Sequence, residues 1–202
     1  LGHFSTPDNN WFDNVLNAIS LESLTISAVV LVSPTYNGYA IDLAGIIEKL
    51  HSKGWPVLVD EAHGAHFFCA NDEELPVSAI NAGADLVVHS LHKSSVGLTQ
   101  TAVLWSQGKR VDPIAIKRSL GWFQTSSPNA LLIASCEEAL LEWKRFSNRK
   151  LLLSRIRNAK KLFFDLLSLN LPVVKNQDPL KLILNTASVG LTGFEVDNFF
   201  IK

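Results

Sequence analysis

Asp60, His63, Ser90, His92 and Lys93 are the residues whose types and spacing point most directly to chemistry. They fall in two clusters, Asp60-Glu-Ala-His-Gly-Ala-His66 and Ser90-Leu-His-Lys93, and a third cluster, Ser33-Pro-Thr-Tyr-Asn-Gly38, precedes them. Each follows a short apolar run: PVLV, DLVVH and AVVLV respectively. A lysine amine can form a Schiff base with a carbonyl cofactor. A nearby carboxylate can keep a pyridine nitrogen protonated, so that the ring accepts electrons from a substrate carbanion; together these are the chemistry of pyridoxal 5'-phosphate. Lys93 and Asp60 fit the two roles, and Ser90 and His92 can donate hydrogen bonds to the cofactor phosphate.

The same residues admit other readings. A lysine after a strand is ordinarily a solvated surface residue, and Asp60 alone could be a loop carboxylate or a helix cap. His63 and His66 with Asp60 and Glu61 lack a complete ligand set or a metal-motif spacing, so no metal is expected. VLVDEAHG also looks like the Walker B strand of a DEAH-type NTPase or helicase, yet the chain contains no G-x-x-x-x-G-K-[ST] loop. Thr125, Ser126 and Ser127 are suited to capping a helix that begins near Asn129.

The apolar runs are the elements that must position these groups. AVVLV (28–32), ended by Ser33 and Pro34, reads as a strand buried on both faces, which implies a parallel sheet. Asp42 to Lys53 reads as a helix with an aspartate cap and a stop at Gly54, and Pro56–Asp60 follows as the next strand of a βαβ unit. A helix near Val77–Ala82, a strand over Ala84–His89 and a further strand over 101–105 continue the alternation. Asp85 starts its strand and is expected at the opposite edge of the sheet. Asp112-Pro113 opens another helix, and from Asn129 the pattern is helical almost to Leu169, with a break near Asn148. KLILNTA reads as a strand, and a last helix is expected from Gly193. The fold class is α/β, a mostly parallel sheet flanked by helices. Ligands on such a sheet gather beyond the carboxyl ends of the strands, where the three polar clusters stand.

The 202 residues, 47% hydrophobic and 18% charged, suffice for one sizeable core. The formal net charge of -1 comes from mixed signs, which argues against nucleic acid or an anionic membrane as partner. Cys69 and Cys136 are far apart and outside any zinc-like spacing, so two reduced thiols are expected. With no signal-peptide pattern and no membrane-length apolar stretch, a cytoplasmic location is expected.

SPTYNG, VLVDEAHGAH, SLHKSSVGLTQTAVL and QTSSPNALLIAS, in this order, resemble the major domain of the Orn/Lys/Arg decarboxylase family over about residues 28–136. NTASVGLTGFEVD near the end is similar to that family as well. DEAH alone is a weak signal; four ordered blocks are specific. The resemblance implies the aspartate-aminotransferase fold, pyridoxal 5'-phosphate, and α-decarboxylation of arginine, lysine or ornithine. It also implies a homodimer or higher oligomer with active sites at the subunit interface. By matching position, it implies Lys93 as the Schiff-base lysine, Asp60 as partner of the ring nitrogen and Ala62 as a small residue against one ring face. His63 is implied beside the cofactor and the substrate carboxylate, with His63 or Lys93 as the proton donor. Ser90 and His92 are implied at the phosphate or in holding the lysine loop, Thr35 at the ring hydroxyl, and Thr125 and Ser126 at the phosphate of the neighbouring subunit's cofactor.

The family's upstream phosphate loop and ring-stacking residue are not in this chain, so the sequence is expected to be a fragment. On that reading residues 1–150 are the C-terminal part of the cofactor-binding domain, and 151–202 are the truncated start of a smaller C-terminal α+β domain. A non-catalytic remnant, or another reaction on the same fold such as aldol cleavage or transamination, is the alternative.

Overall fold

The computed structural model describes residues 10–21, 25–70, 74–185, 188 and 190. β1 (Val29–Val32), β2 (Val57–Asp60) and β3 (Leu86–Ser90) run parallel and side by side, and β4 (Ala102–Ser106) pairs antiparallel with β3. Val32 lies opposite Asp60, and Asp60 opposite Val88, so the three parallel strands deliver their carboxyl ends to one edge. β-branched residues dominate these strands because they pack well on a pleated, buried surface.

α1 (Trp11–Leu21) and α2 (Leu43–Ser52) cover one face of the sheet. α2 starts where Asp42 accepts a hydrogen bond from Gly45 N at 3.3 Å, and its spaced Leu43, Ile46, Ile47 and Leu50 are buried against Val57, Val59 and Val87. Each fully buried side chain of this kind contributes about 1.5–3 kcal/mol. α3 (Ala65–Ala70) follows β2, and a single turn, α4 (Leu91–Ser94), follows β3. α5 (Pro113–Phe123) opens on an Asp112 cap with proline at the first helical position. α6 (Ala130–Lys144) is capped by Asn129, which accepts from Leu131 N and Leu132 N. α7 (Phe146–Ser168) runs unbroken through Leu151, and its Ile156 packs with Phe67 of α3 and Leu75. β5 (Val173–Val174) and β6 (Ile183–Leu184) form a separate antiparallel pair.

Several expectations need correction. β1 is not buried on both faces: it lies at one edge of the sheet formed by the described residues, and Val30 and Val32 are 66% and 55% exposed on the side away from α1 and α2. Residues 77–82 form turns rather than a helix. The segment closes on itself after one turn, with Ala82 N donating to Ser78 O and Ala84 N to Ala79 O, and Ala79 N donates to the Glu61 carboxylate at 2.8 Å. The helical break falls at Arg145, not Asn148, whose side-chain amide instead donates to Glu142 O. Asn129, not Thr125 or its neighbouring serines, caps α6. α1, α3 and α4 were not expected. The helix expected from Gly193 lies outside the described residues. Among the described residues, no helix is long and apolar enough to cross a membrane.

Candidate active site

β2 ends at Asp60, and the chain turns at once because Asp60 Oδ1 accepts from Ala62 N at 3.0 Å. Among the described residues, Asp60 Oδ2 has no hydrogen-bond partner. Ala62 is buried, and Gly64 sits so close to the preceding cluster that a Cβ there would stand 2.4 Å from Pro34 Cδ. Only glycine fits this approach of the DEAHG turn to the SPTYNG loop. His63, half-buried, projects between them.

Lys93 is presented by α4, whose short turn is pinned from beneath. Leu91 is fully buried, Leu91 N donates to Thr101 O at 3.0 Å, and His92 Nδ1 donates to the same carbonyl at 3.0 Å. Ser95 Oγ reaches Ala139 O of α6. The Lys93 side chain is thereby left exposed at the sheet edge, with Nζ 3.2 Å from His63 Nε2. Burial, and then the ammonium groups of Lys93 and Lys181, hold His63 below the usual imidazole range against the opposing pull of Asp60 and Asp178. A neutral His63 can accept a hydrogen bond from Lys93 at Nε2.

Ser90 closes β3 just before this turn and is buried, with no capping hydrogen bond from its side chain. Thr35 is exposed; its Oγ1 accepts from Tyr39 N at 3.1 Å within the SPTYNG loop. Thr125 and Ser126 stand on the exposed connection between α5 and α6, where Thr125 Oγ1 accepts from Ser127 N, and no hydrogen bond links them to Lys93 or Asp60. A cavity of about 490 Å³ opens beside Lys93, bordered by Ser94, Trp143 and Arg155. A larger one of about 710 Å³, lined by Phe163, Phe164 and Leu182, contains none of Asp60, His63 and Lys93.

The motif DEAHGAH splits into side chains with four different partners. Glu61 is fully buried: Oε2 meets His89 Nε2 at 2.7 Å, and Oε1 accepts from Ala79 N. His89 Nδ1 accepts from Trp105 Nε1 at 3.0 Å, which places the imidazole proton on Nε2 and makes it the donor to Glu61. Burial pushes the Glu61 carboxyl up. A carboxylate so enclosed cannot reach magnesium or an attacking water, as the DEAH NTPase reading requires. His66 turns instead to Asp178, 3.1 Å away and fully buried. Sequence reasoning missed Glu61, His89 and Asp178; the only signal was that charged or polar types stood within apolar runs or beside them. Asp85 lies at the opposite edge, as expected, bound by His51 Nε2 and Val57 N at 2.8 Å each.

The donor set fits pyridoxal phosphate. Lys93 offers an amine in contact with a neutral base, Asp60 keeps one carboxylate oxygen without a partner among the described residues, and Ala62 beside it adds only a methyl group.

Solved structures share this architecture. A methionine gamma lyase from Micromonospora echinospora superposes with a TM-score of 0.55 at 19% identity, over 83% of this chain and 41% of that one. Mouse CSAD in apo form gives 0.55 at 21% identity, over 84% and 38%. Among curated proteins, arginine decarboxylase of Bacillus subtilis (strain 168) is 34% identical over 181 residues, 85% of this chain and 36% of that protein. Arginine decarboxylase of Bacillus anthracis is 33% identical over 182 residues, 84% and 36% respectively, and the uncharacterized protein YaaO of Bacillus subtilis is 37% identical over 169 residues, 78% and 34%. The chain thus spans about a third of the length of the curated relatives it matches. The family described as Orn/Lys/Arg decarboxylase, major domain, matches residues 7–171. Strand edge, lysine turn and sequence agree: the chain belongs to the Orn/Lys/Arg decarboxylase family, whose members depend on pyridoxal phosphate.

Proposed function

We propose that this chain carries part of the reacting centre of an α-decarboxylase that converts arginine, lysine or ornithine to the corresponding amine and carbon dioxide. The observation that carries the reading is the contact of Lys93 Nζ with His63 Nε2 at 3.2 Å, at the strand edge that also bears Asp60. Lys93 holds the cofactor through its ε-amine, and Asp60, through its unpartnered oxygen, holds the ring nitrogen protonated. Ala62 would face the ring, and Ser90 and His92 would serve the phosphate. When bound, pyridoxal phosphate supplies the electron sink that takes up the pair released as the carboxylate leaves.

The chain's own residues do the rest. A lysine acts as a nucleophile only after losing its proton, and neutral His63 is placed to take that proton at Nε2. The same atom can return it at the α-carbon. Thr35 serves the ring hydroxyl. Exposed Thr125 and Ser126 are available to the phosphate site of a second copy in a homodimer or higher oligomer. Residues 1–150 belong to the cofactor-binding unit and 151–202 begin a smaller one, in a cytoplasmic enzyme.

The test uses the full-length protein. Incubation with pyridoxal phosphate should produce an absorbance band near the violet edge of the visible range that Lys93→Ala abolishes. Carbon dioxide release should then follow one of the three basic amino acids. No Lys93-dependent band would end the reading; a band without carbon dioxide from any of the three would move the protein to aldol cleavage or transamination.

A further inference from the structure

Residues 176–181 fasten the SPTYNG loop from far along the chain. Asn176 Nδ2 donates to Asn37 O at 2.8 Å, and the backbone amides of Gln177 and Asp178 donate to Gly38 O at 3.2 and 3.0 Å. Ala40 N donates to Gln177 Oε1 at 3.1 Å. Gly38, at φ +80°, has no room for a side chain, because a Cβ would lie 2.8 Å from Lys181 Cβ. Asp178 anchors the segment from within: Oδ1 accepts from Leu180 N at 3.0 Å and pairs with His66.

Lys181 is therefore fixed in place, and its ammonium stands 5.6 Å from the centroid of the exposed Tyr36 ring. Tyr36 meets His63 edge to face, centroids 5.3 Å apart, and His63 touches Lys93. Lys181, which also borders the larger cavity, is thus linked to Lys93 by successive contacts through the Tyr36 and His63 rings. Among the described residues, neither lysine forms an ion pair. Asp60 stands at the same edge and Asp178 behind it, but neither is paired with Lys93 or Lys181, so each ammonium is open to an anionic ligand.

Resting on the decarboxylase reading above, we propose that Lys181 is an anion-binding residue of the same site, presented across Tyr36 to an oxyanion of the ligand. That oxyanion is the carboxylate of the amino acid or the phosphate of the cofactor. The lowered basicity of His63, to which Lys181 contributes after burial and Lys93, accords with this placement.

The experiment compares the full-length protein with its Lys181→Gln and Lys181→Arg variants. Apo protein is titrated with pyridoxal phosphate and with pyridoxal. Loaded protein is titrated with the amino acid and with the amine that lacks its carboxylate. Lys181→Gln should weaken one anion-bearing ligand by about tenfold, as loss of one charge-assisted hydrogen bond does, and spare the analogue that lacks the anion. Lys181→Arg should restore it. Weaker amino acid binding identifies the carboxylate; weaker pyridoxal phosphate binding identifies the phosphate. Unchanged binding of all four, or equal loss for a ligand and its analogue without the anion, overturns the proposal. Absence of any Lys93-dependent absorbance in the unaltered protein defeats the decarboxylase reading instead. Inorganic phosphate then serves as probe, through the His63 ring resonance by NMR. A shift that persists in Lys181→Gln, or that is absent from the unaltered protein, overturns the Lys181 assignment.

Discussion

Glu61 Oε2 lies 2.7 Å from His89 Nε2 with neither side chain exposed to solvent, and the pair ties β2 to β3 directly beneath Asp60 and Ser90. The two strand ends that bear the cofactor-binding candidates are thus joined through their side chains as well as their backbones. Glu61→Ala leaves the His89 Nε2–H and the Ala79 N–H without acceptors. It should cost about 3–5 kcal/mol, the range for removing one member of a buried pair. Glu61→Gln retains one acceptor and should cost about 1–2 kcal/mol. Urea unfolding midpoints of the two variants measure both, and an alanine variant no less stable than the glutamine variant refutes the clasp.

Burial raises the folded-state pKa of Glu61 above its unfolded value, so the native protein holds this proton more tightly than the unfolded chain. Between the ordinary glutamate pKa and the raised one, stability must then fall as pH rises. The contribution is fully present below the unfolded pKa and lost above the folded one. Glu61→Gln should flatten this part of the stability profile, measured by denaturation at a series of pH values. An identical slope in the variant would assign the pH dependence to other groups.

The titration of His63 in the apo protein should depend on Lys93. The Lys93 ammonium is one of the causes that hold His63 low, so Lys93→Gln should raise the His63 midpoint towards the ordinary imidazole range. NMR titration of the ring resonance reads this directly. A midpoint that falls or stays in place means the two groups are not in contact in solution.

Gly64→Ala forces a Cβ to 2.4 Å from Pro34 Cδ and 2.9 Å from Glu61 Cγ, so it should destabilise by about 1–3 kcal/mol. Gly121→Ala, inside α5 with open space around the new Cβ, should instead stabilise by roughly 0.5–1 kcal/mol. Thermal or urea unfolding of the pair gives opposite signs if the approach of Gly64 to Pro34 is tight.

Much of the fold was legible because a parallel strand reads as a short apolar run and each run here ends in polar residues. The caps at Asp42 and Asp112 marked two helix starts for the same local reason. The helix expected over Val77–Ala82 is only a turn, and the bond of Ala79 N to the Glu61 carboxylate that holds it joins residues 18 apart, which no periodicity announces. The exposure of Val30 and Val32 was likewise hidden, since composition does not say whether a strand is central or at the edge. Lys93 and Asp60 could be singled out by type and position. Lys181 could not, because its place beside Tyr36 depends on contacts made across most of the chain.

Asn176 reaches Asn37 over a separation of 139 residues, whereas Glu61 finds His89 after 28. During synthesis the central strands can therefore pair early, while the SPTYNG loop must wait for its fastening. At ordinary elongation rates that delay is on the order of ten seconds. The nascent chain holds its lysine turn through that interval with the SPTYNG loop unfastened, and residues 176–181 set the moment at which that loop is held.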